Sequence, residues 1–579
     1  MQGQIAVKGT LIITPKGSSD LKPEARVINK ILQMDGEKIA RELSAEHHLL
    51  VDGWGRNMFV PSLVYMPEKD RLLLSCLSRG NSVSDPIQAI LIASDDHGQT
   101  WNNPIDRTMG QGNAAAPGMS LSYLGNGTLL GTGEGSGENT GWLSRDYGDT
   151  WVSFPSPHAV GGFTIYMWDP CLTDKDPVTR ELKRTVRSGY RKGMGRQFEH
   201  ARKLVVFPDA WHWKHDPEDR GLTEEWYKDE AFACWPRMMR SDKHWTLQGE
   251  PGGVGWYATN FDMPAAGDVP LLILFGAVDG YCDVFIDGKK VGEQKKSPEI
   301  MWDAPFRLSL DCGLSEGNHS MVIRVEKKCV EDTNAGIHAP IWIVDKSGLD
   351  TREKVVSCPS RHALIRFSYD GGRTWPEEIE PPSWNGSSGV GVNEVALCCA
   401  ANGDLVAACR IEHPKYFGTS GDPMHEDGFI DHYCGLGVSL SKDNGYTWTN
   451  INVLYEYGRM QPSMVLMPDG DIVMTYVVRM GTLKEEHRLR DADGFSQWSI
   501  EAVVSHDHGA SWDLAHRYVL AKWSGGSQSQ STSTVLLPDG SLLTAFGSGF
   551  LSQPVKENIA PAHEVCLVHW HPDSGYRSL

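Results

Sequence analysis

The 579-residue chain lacks any apolar run near the roughly 18 residues that a membrane helix needs, so no membrane-spanning helix is expected. It lacks an excess of basic residues. Lys and Arg number 55 against 74 Asp and Glu, a net charge of -19, which argues against nucleic acid as a partner. An anionic sugar is still admissible, because it needs only a few local arginines. No CxxC pair is present, so no zinc motif is read. The 12 cysteines mostly sit in apolar strand-like runs such as LLLSCLS, EVALCCAA and VAACR, as small core residues and not as a disulfide framework. No cofactor motif is read either. The opening MQGQIAVKGTLIITPKG has no basic segment followed by a long apolar core, and does not read as a signal peptide. A mature exported chain carrying an added Met1 would look the same, so a secreted or periplasmic location and a cytoplasmic one both stay open.

What is present describes a folded protein: 40% apolar residues, 22% charged, and mean hydropathy -0.35. The length calls for two or more domains. Internal repetition sets the architecture. The pattern Ser-x-Asp-x-Gly-x-Thr/Ser-Trp occurs as SDDHGQTW from Ser94, SRDYGDTW from Ser144, SYDGGRTW from Ser368, SKDNGYTW from Ser441 and SHDHGASW from Ser505. Each follows an apolar strand-like run. The Asp accepts backbone N–H bonds in the turn, the Gly takes φ > 0, and the Trp buries beneath the loop. These are structural staples and not catalytic candidates. Upstream of most of them lies a hairpin, as in VLMPDGDIVMTYVVR, ALCCAANGDLVAACR and VLLPDGSLLTAFG.

The five repeats resemble the Asp-boxes of the sialidase-like superfamily, whose members are six-bladed β-propellers. The resemblance implies an all-β fold with blades at about 55–101, 112–151, 160–200 resuming at 355–376, 388–448, 459–512 and 530–572, with HLLVDG near residue 50 closing the circle. Ser144 to Ser368 spans far more than one blade, so roughly 150 residues are inserted in the third. The insert, from about Phe207 to Val344, contains LLILFGAVDGYCDVFIDGKKVGE and GNHSMVIRVEKK. It resembles the jelly-roll, galactose-binding-like β-sandwich of family 2 glycoside hydrolases. The expected domains are therefore an N-terminal extension at 1–45, the propeller at 46–204 and 348–579, and the sandwich at 205–347. A rim-forming role for the insert is favoured over direct sugar binding.

The resemblance also implies where chemistry sits. NEVALCCAANGDLVAACR matches the family stretch holding a Glu and an Arg, giving Glu394 and Arg410. The family's first Arg is missing, because Phe59-Val60-Pro61 occupies its segment; Arg56 is the substitute. The acid/base Asp corresponds to Asp85, in SRGNSVSDPIQ. No Tyr nucleophile is found: GGSQSQSTSTVLLPDG stands where it belongs. The family's third Arg is also absent, and Arg479 is taken to end its strand as Arg79 and Arg410 end theirs, building an arginine cluster. Ordinary sialic acid hydrolysis is therefore not expected.

What remains is a two-carboxylate arrangement of Glu394 and Asp85, with Arg410 orienting the substrate. Arg459 and Gln461 in GRMQPS, and Tyr166 and Asp169 in YMWDP, begin inner strands and are subsite candidates. The loop MHEDGFIDHY carries His425, Glu426, Asp427, Asp431 and His432, but its spacing fits no metal motif. It reads as a substrate rim where His432 meets sugar. The leading expectation is an exo-acting glycoside hydrolase acting on a complex glycan, acidic residues included. The alternatives are a non-catalytic glycan-binding propeller and a polysaccharide lyase. No metal, nucleic acid or membrane partner is expected, and the oligomeric state is left open.

Overall fold

The computed structural model describes residues 6–7, 24–26, 29–50, 57–79, 88–101, 105–108, 120–132, 140–155, 165–166, 170–175, 182–192, 202–228, 232–241, 244–267, 269–295, 306–310, 313–327, 335–337, 340–347, 361–384, 389–413, 433–480, 498–524, 527–549 and 564–572. The fold is all-β. Among the described residues the only helical pieces are short 3-10 turns, and no helix is long and apolar enough to cross a membrane.

Six antiparallel sheets follow one another along the chain outside 203–345. Sheet 1 is Asn57–Met66, Arg71–Arg79, Gln88–Ser94 and Ile105–Thr108. Sheet 2 is Leu121–Gly125, Thr128–Thr132, Thr140–Ser144 and Val152–Pro155. Sheet 3 is divided in sequence: Ile165–Tyr166, Leu172–Lys175 and Leu182–Lys192 pair onward with Arg361–Ser368 and Glu377–Ile379. Sheet 4 is Gly391–Cys399, Leu405–Glu412, Gly435–Ser441 and Asn452–Tyr455. Sheet 5 is Arg459–Leu466, Ile472–Arg479, Trp498–Ser505 and Tyr518–Ser524. Sheet 6 takes Ser527–Leu536, Leu542–Gly549 and Glu564–Trp570 from the end of the chain and Glu46–Leu50 from near its start.

Each turn motif forms the same bonds. In the first, the Ser94 hydroxyl donates to Asp96 Oδ1 at 2.8 Å and accepts from Gly98 N at 2.8 Å. Asp96 also receives Thr100 N at 2.8 Å and Thr100 Oγ1 at 2.6 Å. The set recurs around Asp146, Asp370, Asp443 and Asp507. Burial would raise the Asp96 carboxyl, but the bonds from Thr100 and Ser94 outweigh it and hold it below its usual range. At Asp443 the bonds from Thr447 dominate, with the same result. The motif serines also fix register, since Ser94, Ser144, Ser368, Ser441 and Ser505 face Leu72, Leu129, Thr185, Leu405 and Ile472 on their second strands.

The motif glycines do more than turn the chain. A Cβ on Gly148 would lie 2.6 Å from Leu73 of sheet 1, one on Gly372 2.4 Å from Leu130 of sheet 2, and one on Gly509 2.7 Å from Val406 of sheet 4. Gly445 faces Phe367 of sheet 3 at 3.5 Å, and Gly98 faces Leu543 of sheet 6 at 3.2 Å. All five have φ between +85° and +96°. Sheets 2 to 5 thus each rest a turn on the preceding sheet, and sheet 1 rests its turn on sheet 6.

First strands meet in the same cyclic order through serine hydroxyls. Ser62 accepts from Leu121 N at 2.9 Å, Ser463 from Thr534 N at 3.1 Å, and Ser533 from Leu63 N at 2.9 Å. Ser122 accepts from Cys171 N at 2.7 Å, joining sheets 2 and 3. Apolar clusters fill the spaces between adjacent sheets. No disulfide joins the described cysteines, and Cys76, Cys282, Cys398, Cys409, Cys434 and Cys566 are buried. Cys234 and Cys399 are exposed, so the reading of cysteine as a core residue does not extend to them.

Residues 203–345 hold two packed sheets of their own. One orders Lys203–Val206, Ile341–Asp345, Leu271–Phe275 and Phe306–Leu310. The other orders Arg237–Arg240, Ala210–His215, Val254–Met263, Gly317–Glu326, Tyr281–Ile286 and Lys289–Gln294. Between them lies a core with Trp211, Trp245, Phe275, Ile323 and Ile343. A hairpin near the start, Lys30–Asp35 with Lys38–Ser44, extends sheet 5 beyond Tyr518–Ser524.

Two outcomes follow from the turn geometry. Gly509→Ala combines positive φ with overpacking against Val406, and should lose about 1–3 kcal/mol more than Gly445→Ala, which has the same φ and more room; urea unfolding measures the difference. The five turn carboxylates have depressed folded-state pKa values, so their stabilisation is present above an unfolded pKa of about 3.9. It is lost as pH falls through the lower folded values. The urea midpoint should drop steeply below about pH 4, less so in an Asp443→Asn variant.

Candidate functional site

The register defines equivalent places in different sheets. Ser62, Ala396, Ser463 and Ser533 each face the residue three after the start of the register, namely Ser75, Ala408, Thr475 and Ala545. Two residues earlier on each first strand stand Val60, Glu394, Gln461 and Ser531. A bulge interrupts all four ladders here. Val60, Gln461 and Ser531 have φ of 54°, 51° and 20°, a strained conformation for side chains other than glycine. These first strands pack against one another, and at this level Ser531 N donates to the Gln461 side chain.

In sheet 4 the bulge holds a charge pair. Arg410 Nη1 donates to Glu394 Oε1 at 2.6 Å, and both side chains are about 5% exposed. Asn393, completely buried, donates from Nδ2 to Glu412 Oε1 at 2.7 Å and accepts from Glu394 N at 2.6 Å through Oδ1. Two carboxylates, one arginine and one amide are thereby joined in a single buried network. Sequence reasoning found Glu394 and Arg410 but missed Asn393 and Glu412. The signal was the spacing: Glu412 is two residues beyond Arg410 on a strand, so it points to the same face.

The shared strand-end position assigned to Arg410 needs correction. Arg79 and Arg479 end their second strands seven residues after Leu72 and Ile472, and the residue at that place in sheet 4 is Glu412. Arg410 lies two residues further in. Arg479 is buried and donates from Nη2 to Gln461 Oε1 at 2.9 Å. The same oxygen accepts from Ser531 N at 2.8 Å. Gln461 is thus fixed by Arg479 and bridges sheets 5 and 6, while Thr532 Oγ1 donates to its backbone carbonyl at 3.1 Å.

Arg459 has a different environment. Its guanidinium lies 4.2 Å over the Tyr455 ring, and Nε is 3.7 Å from Glu501 Oε2. Glu501 also accepts from Tyr476 at 3.2 Å and lies 3.6 Å from Arg517 Nε. This buried cluster ties sheets 4 and 5 and occupies Arg459 structurally. Burial pushes the phenols of Tyr455 and Tyr476 up.

Arg56, Asp85, Asp169 and His432 lie outside the described residues, as does the acidic loop from His425 to Asp431. Arg79 and Tyr166 fall on described strands, but their side chains are also outside the description. Among the described residues no group of three or more His, Cys, Asp or Glu is placed to hold a metal ion.

No family model and no curated protein matches the chain. Among solved structures, a protein of unknown function from Dyadobacter fermentans is 12% identical over 94% of this chain and 99% of its own, with a TM-score of 0.40. A β-glucuronidase from Ruminococcus gnavus in complex with D-glucuronic acid is 12% identical over 52% of this chain and 46% of its own, TM-score 0.21. A β-glucuronidase from an uncultured Clostridium species is 12% identical over 58% and 46%, also at 0.21.

Removing one member of the Glu394–Arg410 pair leaves a buried charge, so Arg410→Met should cost about 3–5 kcal/mol. The double substitution Glu394→Leu/Arg410→Met should recover part of that loss in urea unfolding. A double variant no more stable than Arg410→Met would show that the two charges are not coupled.

Proposed function

We propose that the protein is an exo-acting glycoside hydrolase of the sialidase-like superfamily, acting on a complex glycan by two-carboxylate chemistry and not by that of a conventional sialidase. The single observation that carries the proposal is the buried pair of Glu394, on a bulged first strand, with Arg410 on the second strand, with the bulges of three other sheets at the same register. In this reading the six sheets are the blades of a propeller and the five turn motifs are its Asp-boxes. The glycine contacts of sheets 1 to 5 with the sheets before them, the serine bonds that run from sheet 5 through sheets 6 and 1 to sheet 2, and the pairing of Glu46–Leu50 with Glu564–Trp570 support it. The two-sheet unit of residues 203–345 is then an inserted jelly-roll domain.

Hydrolysis needs one carboxyl to protonate the leaving oxygen and a carboxylate to attack the sugar or activate water. A carboxylate paired with a guanidinium keeps its charge, which gives Glu394 the base or nucleophile role. Asp85 is then the acid. Arg410 holds Glu394 in place and orients the substrate. Gln461, anchored by Arg479, offers amide N–H donors, and Arg56 and Arg79 are assigned as further substrate-binding arginines. Tyr166, Asp169 and His432 are subsite residues in this assignment. The absence of any Tyr in Ser527–Leu536 removes the family's usual nucleophile.

That same absence favours a second reading, a glycan-binding protein without turnover. One experiment separates them. Purified protein is incubated with sialylated glycans, pectic and algal polysaccharides and aryl glycosides, with chromatography and ultraviolet absorbance as readouts. The hydrolase releases a monosaccharide without a new chromophore, and Glu394→Gln reduces that release by at least 1000-fold while staying folded. Saturable binding without product would establish the second reading, and a new ultraviolet band would mark a lyase. Unchanged turnover in Glu394→Gln would remove Glu394 from the mechanism.

A further inference from the structure

The two sheets of residues 203–345 are joined at one end by a short crossing. Leu271–Phe275 of the four-stranded sheet leads through Val278–Asp279 into Tyr281–Ile286 of the six-stranded one, and Val278–Asp279 pairs with Gly336–Ile337. Tyr281 faces Glu326 in the end pair of its ladder with Gly317–Glu326. One step past Glu326 stands Lys327, and two steps before Tyr281 stands Asp279. The end of the ladder thereby sets an amine beside a carboxylate. The backbone around them is pinned, since Lys327 N donates to Gly253 O and Trp245 N to Ala335 O, both at 2.9 Å.

Lys327 Nζ is in contact with Asp279 Oδ1, and their side chains are 3% and 0% exposed. His244, 1% exposed, places Nε2 3.3 Å from Asp279 Oδ2. The flanking residues Trp245, Val278, Ala335 and Ile337 are buried and apolar. Burial pushes the Asp279 carboxyl up, but Lys327 and His244 outweigh it and hold it below its usual range, so the pair begins as ammonium and carboxylate. Two charges kept out of water carry a desolvation cost that their contact only partly offsets. Condensation to an amide removes both charges, and a dry site opposes the return of the released water. Fixed contact between the reacting groups supplies the effective concentration that amide formation between separate molecules lacks.

We propose that Lys327 and Asp279 condense to an intramolecular amide, cross-linking the chain across one end of the two-sheet unit. The ammonium gives up a proton, and Nζ attacks Cγ of Asp279 as the C–N bond forms. His244 passes a proton to Oδ2 and recovers one from the nitrogen, and the C–Oδ2 bond breaks. The three hydrogens of the ammonium and the two carboxylate oxygens end as one N–H, one C=O and one water. Net charge is unchanged, and no other reactant is consumed. The bond ties the crossing between the sheets to Gly317–Glu326, an inner strand of the six-stranded sheet. It does not depend on Glu394 or on turnover.

Mass spectrometry of the purified, reduced full chain reads the outcome directly. The native chain should be lighter than its sequence by one water. A tryptic digest should join the peptide holding Asp279 to the one holding Lys327, with no cleavage at that lysine. Lys327→Gln should restore the full sequence mass. His244→Gln, which donates a hydrogen bond but relays no proton, should slow the mass loss after cell-free synthesis at least tenfold. A native chain at full sequence mass overturns the proposal, as does a Lys327→Gln chain lighter by the same water. So does a native chain lighter by one water whose two peptides are separate, the mark of a succinimide at Asp279–Gly280. Cross-linking of His244→Gln at the native rate overturns the role given to His244.

Discussion

The close approach of five turn glycines to the sheets beside them is the constraint from which the rest of the arrangement follows. At Gly148, Gly372 and Gly509 even a methyl group would lie under 3 Å from a leucine or valine of the preceding sheet. Such contact leaves little freedom in how neighbouring sheets are spaced. The aspartate in each turn stiffens the approach by receiving the hydroxyl and N–H of the same Thr or Ser. Interior packing elsewhere then has one geometry to fill, and Leu72, Leu129, Leu405 and Ile472 repeat at one register because of it. Hydrophobic burial supplies most of the driving force, but it is non-directional, and the turns supply the direction.

Regular spacing brings the first strands together, and the buried charges and strained backbone lie where they depart from regularity. Ser62, Ser463 and Ser533 stitch one first strand to the next by the same bond. Sheet 4 carries Ala396 at that place, and two residues earlier it carries Glu394 in place of an uncharged residue. Burying Glu394, Arg410 and Glu412 within one hairpin sets a desolvation cost against packing that an apolar trio would avoid. The strained backbone at Val60, Gln461 and Ser531 adds a second cost at matching positions. Both costs fall on the same few strands, and the folding of the sheets requires neither.

Much of this was legible in the residues because it is local. The turn motifs, the PDG and NGD hairpins and the interruption between Ser144 and Ser368 are read from short-range chemistry and spacing. The strand at HLLVDG came from the resemblance, as the segment needed to close a circle of sheets, and Glu46–Leu50 pairs with Glu564–Trp570. What escaped depends on partners distant in sequence. The hairpin Lys30–Ser44 has an exposed second strand, and nothing local says that Leu32 pairs with Val519. Arg459 looked like a subsite residue from its place at a strand start, but Glu501 and Tyr455, both brought in by other strands, claim it. Glu412 finds its buried partner, Asn393, on the neighbouring strand, and the register across sheets puts it level with Arg79 and Arg479.

The most direct test is a crystal structure of the Glu394→Gln variant with a glycan that the native protein cleaves. The account predicts a sugar ring at the bulged first strands, with its glycosidic carbon or oxygen within hydrogen-bonding reach of residue 394 and a substrate oxygen on Arg410. A glycan bound with its cleavable bond elsewhere, and residues 394 and 410 untouched, would contradict it.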